Sequence, residues 1–132
     1  MNLVVDASAA VEFLLRTPVG LRVEGAVANA ALFAPELLDV EVTAVLRREV
    51  QRRRLAETRA AEALDDLVAW DVTRLHHGDL VQDAWQLRHD VSAYDAFYLA
   101  AALRCGAALV TADGPLSRVP VRTGVVIQAI RD

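Results

Sequence analysis

Four acids interrupt apolar surroundings in this chain. Asp6 closes the run Leu3-Val4-Val5, and Asp113 follows Leu109-Val110-Thr111. Glu41 lies four residues after Leu37, three after Leu38 and four before Val45, on or beside a helical apolar stripe. Asp95 stands three residues before Tyr98 and four before Leu99, at the start of another apolar helical pattern. A lone buried carboxylate is costly, so each such acid should be paired, protonated or bound to a cation. Converging without lysine, histidine or cysteine, the four would make an all-oxygen site that suits Mg²⁺ or Mn²⁺. An ion held there would lower the pKa of a bound water and stabilise a leaving oxygen, so the chemistry implied is metal-assisted phosphodiester hydrolysis. Each acid also has a structural explanation. Asp6 can cap a following helix, and Ser92-Ala93-Tyr94-Asp95 fits a capping box. Asp113-Gly114 is a common turn pair, and Glu41 can snorkel to solvent.

The elements that would position these acids alternate between strand and helix. Short apolar runs at 3–5, 32–34, 72–75, 107–111 and 125–127 read as strands. Helical patterns cover 7–16, 20–30, 35–54, 57–69, 79–88 and 93–104. Pro35 falls near a helix start, where proline is tolerated. Alternation of this kind predicts an α/β fold: a parallel sheet with helices on both faces. Ligands of such sheets gather outside the carboxyl ends of the strands, at the topological switch point. If the strand before Asp6 adjoins the strand before Asp113, both acids face one cleft.

Composition narrows the alternatives. At 132 residues the chain is expected to form a single domain over 1–132, able to bury roughly two-thirds of its unfolded surface. Hydrophobic residues make up 55% and charged residues 24%, which excludes a disordered chain. Cys105 is the one cysteine, so no disulfide framework or multi-cysteine zinc site is available. All 14 basic residues are arginine, which excludes a P-loop and a Schiff-base lysine. A phosphatase of the haloacid-dehalogenase type also needs a lysine, and a second acid where this chain has Ser8. The net charge of −4 argues against nonspecific nucleic-acid binding by the whole surface. No apolar run reaches the ~18 residues of a membrane span and no leader pattern opens the chain. A soluble, cytoplasmic protein is expected.

In order along the chain, Leu3-Val4-Val5-Asp6-Ala7-Ser8-Ala9, Pro35-Glu36-Leu37-Leu38-Asp39-Val40-Glu41-Val42, Ser92-Ala93-Tyr94-Asp95-Ala96-Phe97-Tyr98-Leu99-Ala100 and Leu109-Val110-Thr111-Ala112-Asp113 match one family. The chain resembles a PIN domain, most closely a VapC-type toxin ribonuclease of a type II toxin–antitoxin pair. The resemblance implies a three-layer α/β/α sandwich with a five-stranded parallel sheet, in which the first and fourth strands are neighbours. It implies Mg²⁺- or Mn²⁺-dependent endoribonuclease action through Asp6, Glu41, Asp95 and Asp113, with Ser8 and Thr111 as supporting hydroxyls. Some members carry a further acid two positions after the fourth, where this chain has Pro115. A single firmly held ion is therefore expected. The family also implies a cognate antitoxin over the active-site groove and a homodimer.

RNA needs cationic contacts, and the candidates are Arg47, Arg48 and Arg52 among the arginines near 47–54. At about 100° per residue, Arg48 and Arg52 share one side of a helix while Arg47 lies on another. Arginines near a helix C-terminus also simply complement the macrodipole. His76 and His77 read as a surface loop, Cys105 as a small buried residue, and Trp70 and Trp85 as packing anchors. Val11, Phe13, Leu14 and Leu15, with Leu37 and Leu38, read mostly as core, with part of an antitoxin groove as the alternative. A catalytically idle PIN-like module acting through protein contacts is the rival from another functional class. Four retained, mutually repelling acids argue against it.

Overall fold

The computed structural model describes residues 1–116 and 124–130. Short, mostly apolar runs form the strands, and amphipathic segments between them form helices. The order is β1 (Asn2–Val5), α1 (Ala7–Leu15), α2 (Pro18–Val27), β2 (Ala31–Pro35), α3 (Leu37–Gln51), α4 (Glu57–Ala69) and β3 (Val72–Leu75). A single 3₁₀ turn (His77–Asp79) leads to α5 (Val81–Gln86), α6 (Ala93–Cys105), β4 (Ala108–Thr111) and β5 (Ile127–Ala129).

The sheet is parallel throughout, in the order β3-β2-β1-β4-β5. From β1 the chain winds outward through β2 to β3, then returns past both to place β4 beside β1. The switch point therefore lies between β1 and β4. With the right-handed crossovers general to parallel strands, this order puts α1 to α4 on one face and α5 and α6 on the other. The contacts agree: α1 packs on α2, α3 and α4, while α6 packs on α5 and on β1, β2 and β4. This is the expected three-layer α/β/α sandwich. Its core is aliphatic, with Leu3, Val4, Val5, Leu38, Val42, Leu99, Leu109 and Val110 among the buried residues.

Several boundaries differ from those the sequence suggests. Thr17 caps α2, accepting from the Gly20 amide at 3.0 Å, so that helix begins at Pro18 rather than at 20. Pro35 ends β2 instead of opening α3, and α3 stops at Gln51, short of 54. The helix expected over 79–88 is split, because Leu80 (φ −108°) separates the 3₁₀ turn from α5 and an i→i−3 bond from Arg88 to Trp85 ends α5 early. The last strand is Ile127–Ala129 rather than 125–127. Its register is set by β4, with Ile127 opposite Leu109 and the Leu109 amide donating to the Val126 carbonyl.

Two close approaches fix the helices. Gly20 of α2 sits against the backbone of α1, where an added Cβ would fall 1.9 Å from the Glu12 carbonyl oxygen. Arg74 on β3 donates to the carbonyls of Leu67, Trp70 and Val72 and to Asp39 Oδ1, tying the end of α4 to the first turns of α3. Among the described residues no helix is long and apolar enough to cross a membrane.

Candidate active site

Asp6 lies just past β1 and is 4% exposed. It caps α1: Oδ1 accepts from the Ala9 amide at 2.9 Å and from the Ser8 hydroxyl at 2.7 Å. Oδ2 accepts from the Thr111 hydroxyl, reached from β4 across the switch point. Ser8 Oγ and Thr111 Oγ1 stand 3.2 Å apart and accept in turn from the amides of Ala112 and Asp113, each at 2.9 Å. Ser8 and Thr111 both contact Asp6, and they bind the loop after β4 to the carboxylate after β1. Capping and a buried charge coexist in Asp6. Burial pushes its carboxyl up to about 6 against the pull of those three donors, and the charge of Asp113 adds to the rise.

Asp95 lies in the first turn of α6, its amide held by Ser92 Oγ at 3.2 Å. Burial raises its pKa first and repulsion from Asp113 second, while the Ser92 hydrogen bond lowers it. Glu41 is half-buried on α3, and its Oε1 accepts from the Tyr98 hydroxyl at 2.7 Å. Tyr98 is itself buried on α6, and the charges of Glu41, Asp6 and Asp95 all reach its hydroxyl. Asp113 thus acts electrostatically on Asp6 and on Asp95, and the Tyr98 hydroxyl feels Glu41, Asp6 and Asp95. Among the described residues none of the four forms an ion pair with a cation.

The acids do not close on a common point. Among the described residues no three acidic, histidine or cysteine side chains stand within range of one ion. The four acids offer oxygen donors only, and none is neutralised by a cation among the described residues. That donor set fits a hard divalent cation. Asp113 also borders a cleft of about 260 Å³ that Glu12 lines from α1.

The chain matches the PIN domain family over residues 3–122. It is 38% identical over 119 residues to Ribonuclease VapC1 of Mycobacterium tuberculosis, spanning 89% of this chain and 90% of the relative. It is 40% identical over 115 residues to Ribonuclease VapC9 of the same organism, spanning 87% and 88%. This chain is a PIN domain of the VapC type. Solved structures share the fold at lower identity. The VapBC2 structure from Rickettsia felis bound to promoter DNA superposes with a TM-score of 0.66 at 13% identity, covering 98% of this chain and 99% of that one. VapC20 of M. tuberculosis, a sarcin-ricin loop cleaving toxin, gives 0.63 at 22%, covering 87% and 92%.

Other residues of this PIN domain depart from their sequence reading. His77 is no passive loop residue. Its Nε2 accepts from the Leu37 amide at 2.7 Å, capping α3, where Glu36 supplies no side-chain cap. Its ring also lies 5.2 Å from that of Phe97 on α6. One imidazole therefore joins the two helices that carry Glu41 and Asp95. Trp70 is a packing anchor, stacked 4.5 Å from Phe13. Trp85 is not: it is 63% exposed, with Arg88 over its ring at 4.6 Å. Cys105 is half-buried rather than buried. Leu14 and Leu38 are core, and Val11, Phe13, Leu15 and Leu37 pack against it, half-buried. Sequence reasoning gave Tyr98 and His77 no part in the site. Only the spacing of Tyr98, three residues after Asp95 and so on its face of α6, signals a shared site.

Proposed function

We propose that this chain is a Mg²⁺- or Mn²⁺-dependent endoribonuclease, the toxin of a toxin–antitoxin pair, acting in the cytoplasm. The observation that carries the reading is the electrostatic coupling of Asp113 with Asp6 and Asp95, with Glu41 tied in through Tyr98 and no paired cation on any of the four among the described residues, in a VapC-type PIN fold. The curated relatives' names, ribonuclease in each case, support RNA as substrate.

Asp6, Glu41, Asp95 and Asp113 would hold the ion. A bound divalent cation would activate water and offset charge on the leaving oxygen of a phosphodiester. Ser8 and Thr111 orient Asp6, and through their contacts with the amides of Ala112 and Asp113 they hold the fourth acid beside the first. Pro115 stands where another acid would be, which favours one firmly held ion. Arg48 on α3 and Arg52, which caps its C-terminus, follow Glu41 by seven and eleven residues, within about 20° of its direction at helical spacing, and both are exposed. They are better placed for an RNA strand leaving the acids than Arg47, which points about 120° away and lines the groove between α3 and α4. A cognate antitoxin would cover the acidic groove, and a homodimer is the proposed assembly. The VapBC2 neighbour, a toxin–antitoxin pair by name, supports such a partner.

The test is cleavage of structured and unstructured RNAs by purified protein with Mn²⁺, with Mg²⁺ and with EDTA. Cleavage is expected with either metal, is lost on chelation, and falls at least ~100-fold in Asp6→Asn. RNA binding without metal-dependent cleavage would instead favour an idle interaction module. Induction in several hosts should arrest growth, and co-expression of the neighbouring open reading frame should relieve it.

A further inference from the structure

Tyr98 is the one phenol inside the acidic cluster, and the reaction outlined above gives it no part. It is 2% exposed, yet its hydroxyl is spent on a carboxylate rather than a backbone carbonyl. A buried tyrosine needs some partner for its O–H. Here that partner is Glu41, 57 residues away and on another helix. The bond takes Glu41 Oε1; among the described residues nothing donates to Oε2. Asp95 precedes Tyr98 by three residues on α6, so one helix face supplies both an acid and the anchor of a second acid. This bond is not the only tie between α3 and α6, which lie on opposite faces of the sheet, because His77 touches both through Leu37 and Phe97.

We infer that Tyr98 is a positioning residue for the metal centre: its hydroxyl fixes Glu41 through Oε1 and leaves Oε2 to ligate the cation. The inference rests on the four-acid metal site proposed above. The choice of a phenol has a physical reason. A long carboxylate on a half-buried helix face has three rotatable bonds, and ordering it costs entropy on binding. A donor that orders it beforehand removes that cost. An arginine or lysine would do the same but bring a positive charge that competes with the ion. A neutral donor orders the carboxylate and leaves its charge available. Groups that orient metal ligands in this way carry roughly 10- to 100-fold in affinity.

The test compares wild type, Tyr98→Phe, Glu41→Gln and the double variant. Mn²⁺ affinity is read from free Mn²⁺ by electron paramagnetic resonance, and metal-free stability from the urea midpoint in EDTA. Tyr98→Phe keeps the ring and should weaken Mn²⁺ binding about 10-fold with little change in the metal-free midpoint. Glu41→Gln should weaken it at least as much, and the double variant no further than Glu41→Gln alone. The inference is overturned if Tyr98→Phe binds Mn²⁺ like wild type while Glu41→Gln does not. It is equally overturned if the Tyr98→Phe loss persists undiminished in the Glu41→Gln background, or if Tyr98→Phe fails to fold without metal. If Glu41→Gln itself binds Mn²⁺ normally, the four-acid reading has failed at Glu41 and takes the Tyr98 inference with it.

Discussion

Asp6 holds two demands in one side chain. As a cap it takes hydrogen bonds from Ala9, Ser8 and Thr111, and as a buried charge it is destabilising. With its folded pKa at about 6 against 3.8 for the free group, the native state binds the proton more tightly than the unfolded chain does. The contribution of Asp6 to the stability of the metal-free protein is therefore greatest below about pH 4, falls as pH rises toward about 6, and then levels, by on the order of 3 kcal/mol. Asp95, raised by burial and by Asp113, acts in the same direction. Asp6→Asn keeps a capping oxygen without the charge. In EDTA its urea midpoint should be higher than that of wild type at pH 7.5, and its fall between pH 4 and 7 much shallower. A wild-type fall retained in full by the variant would assign the effect to another group. Added Mn²⁺ should raise the wild-type melting temperature and leave Asp6→Asn nearly unmoved.

At the scale of elements, α3 depends on a residue outside itself. Its N-terminus lacks a side-chain cap of its own, and the Leu37 amide is satisfied by His77 from the turn after β3. His77→Phe preserves a ring against Phe97 and removes the acceptor. Chemical denaturation should show a loss of about 1 kcal/mol, the usual effect of an absent N-terminal cap. An unchanged midpoint would mean that water replaces the imidazole at no cost. The α1–α2 corner is less forgiving. At Gly20 a methyl group would collide with the Glu12 carbonyl, and a backbone atom cannot step aside as a flexible side chain can. Gly20→Ala should destabilise by about 1–3 kcal/mol or more, although alanine is the better helix former. A stabilised variant in thermal melts would contradict that packing.

The whole molecule carries a net charge of −4, so affinity for a polyanion has to come from local arginine. Arg48 and Arg52 lie in line with Glu41, whereas Arg54 is engaged with Glu49 at 2.6 Å. If Arg52 contacts phosphate, Arg52→Ala should reduce the slope of log K against log salt by roughly 0.7–0.9 for a catalytically silent RNA complex. Arg47→Ala should leave that slope nearly unchanged. Equal slopes in wild type and Arg52→Ala would remove Arg52 from the RNA path.

The local sequence determined the strand–helix alternation, the parallel sheet it implies and the four acids that interrupt apolar surroundings. Those signals are legible because apolar periodicity and capping act over a few residues. Tertiary structure alone decided which edges meet. Asp6 and Thr111 are 105 residues apart, and their contact exists because β4 returns to lie beside β1. His77 and Leu37, 40 residues apart, and Tyr98 and Glu41, 57 apart, leave no local mark. The register of β5 was likewise invisible, since its apolar run continues past the residues that the ladder with β4 selects. Trp85 shows the same limit from the other side. An aromatic in an amphipathic segment looks like core until the packing of α5 on α6 leaves its face outside. Burial and long-range hydrogen bonds belong to the assembled chain, because each needs a partner that no sequence window contains.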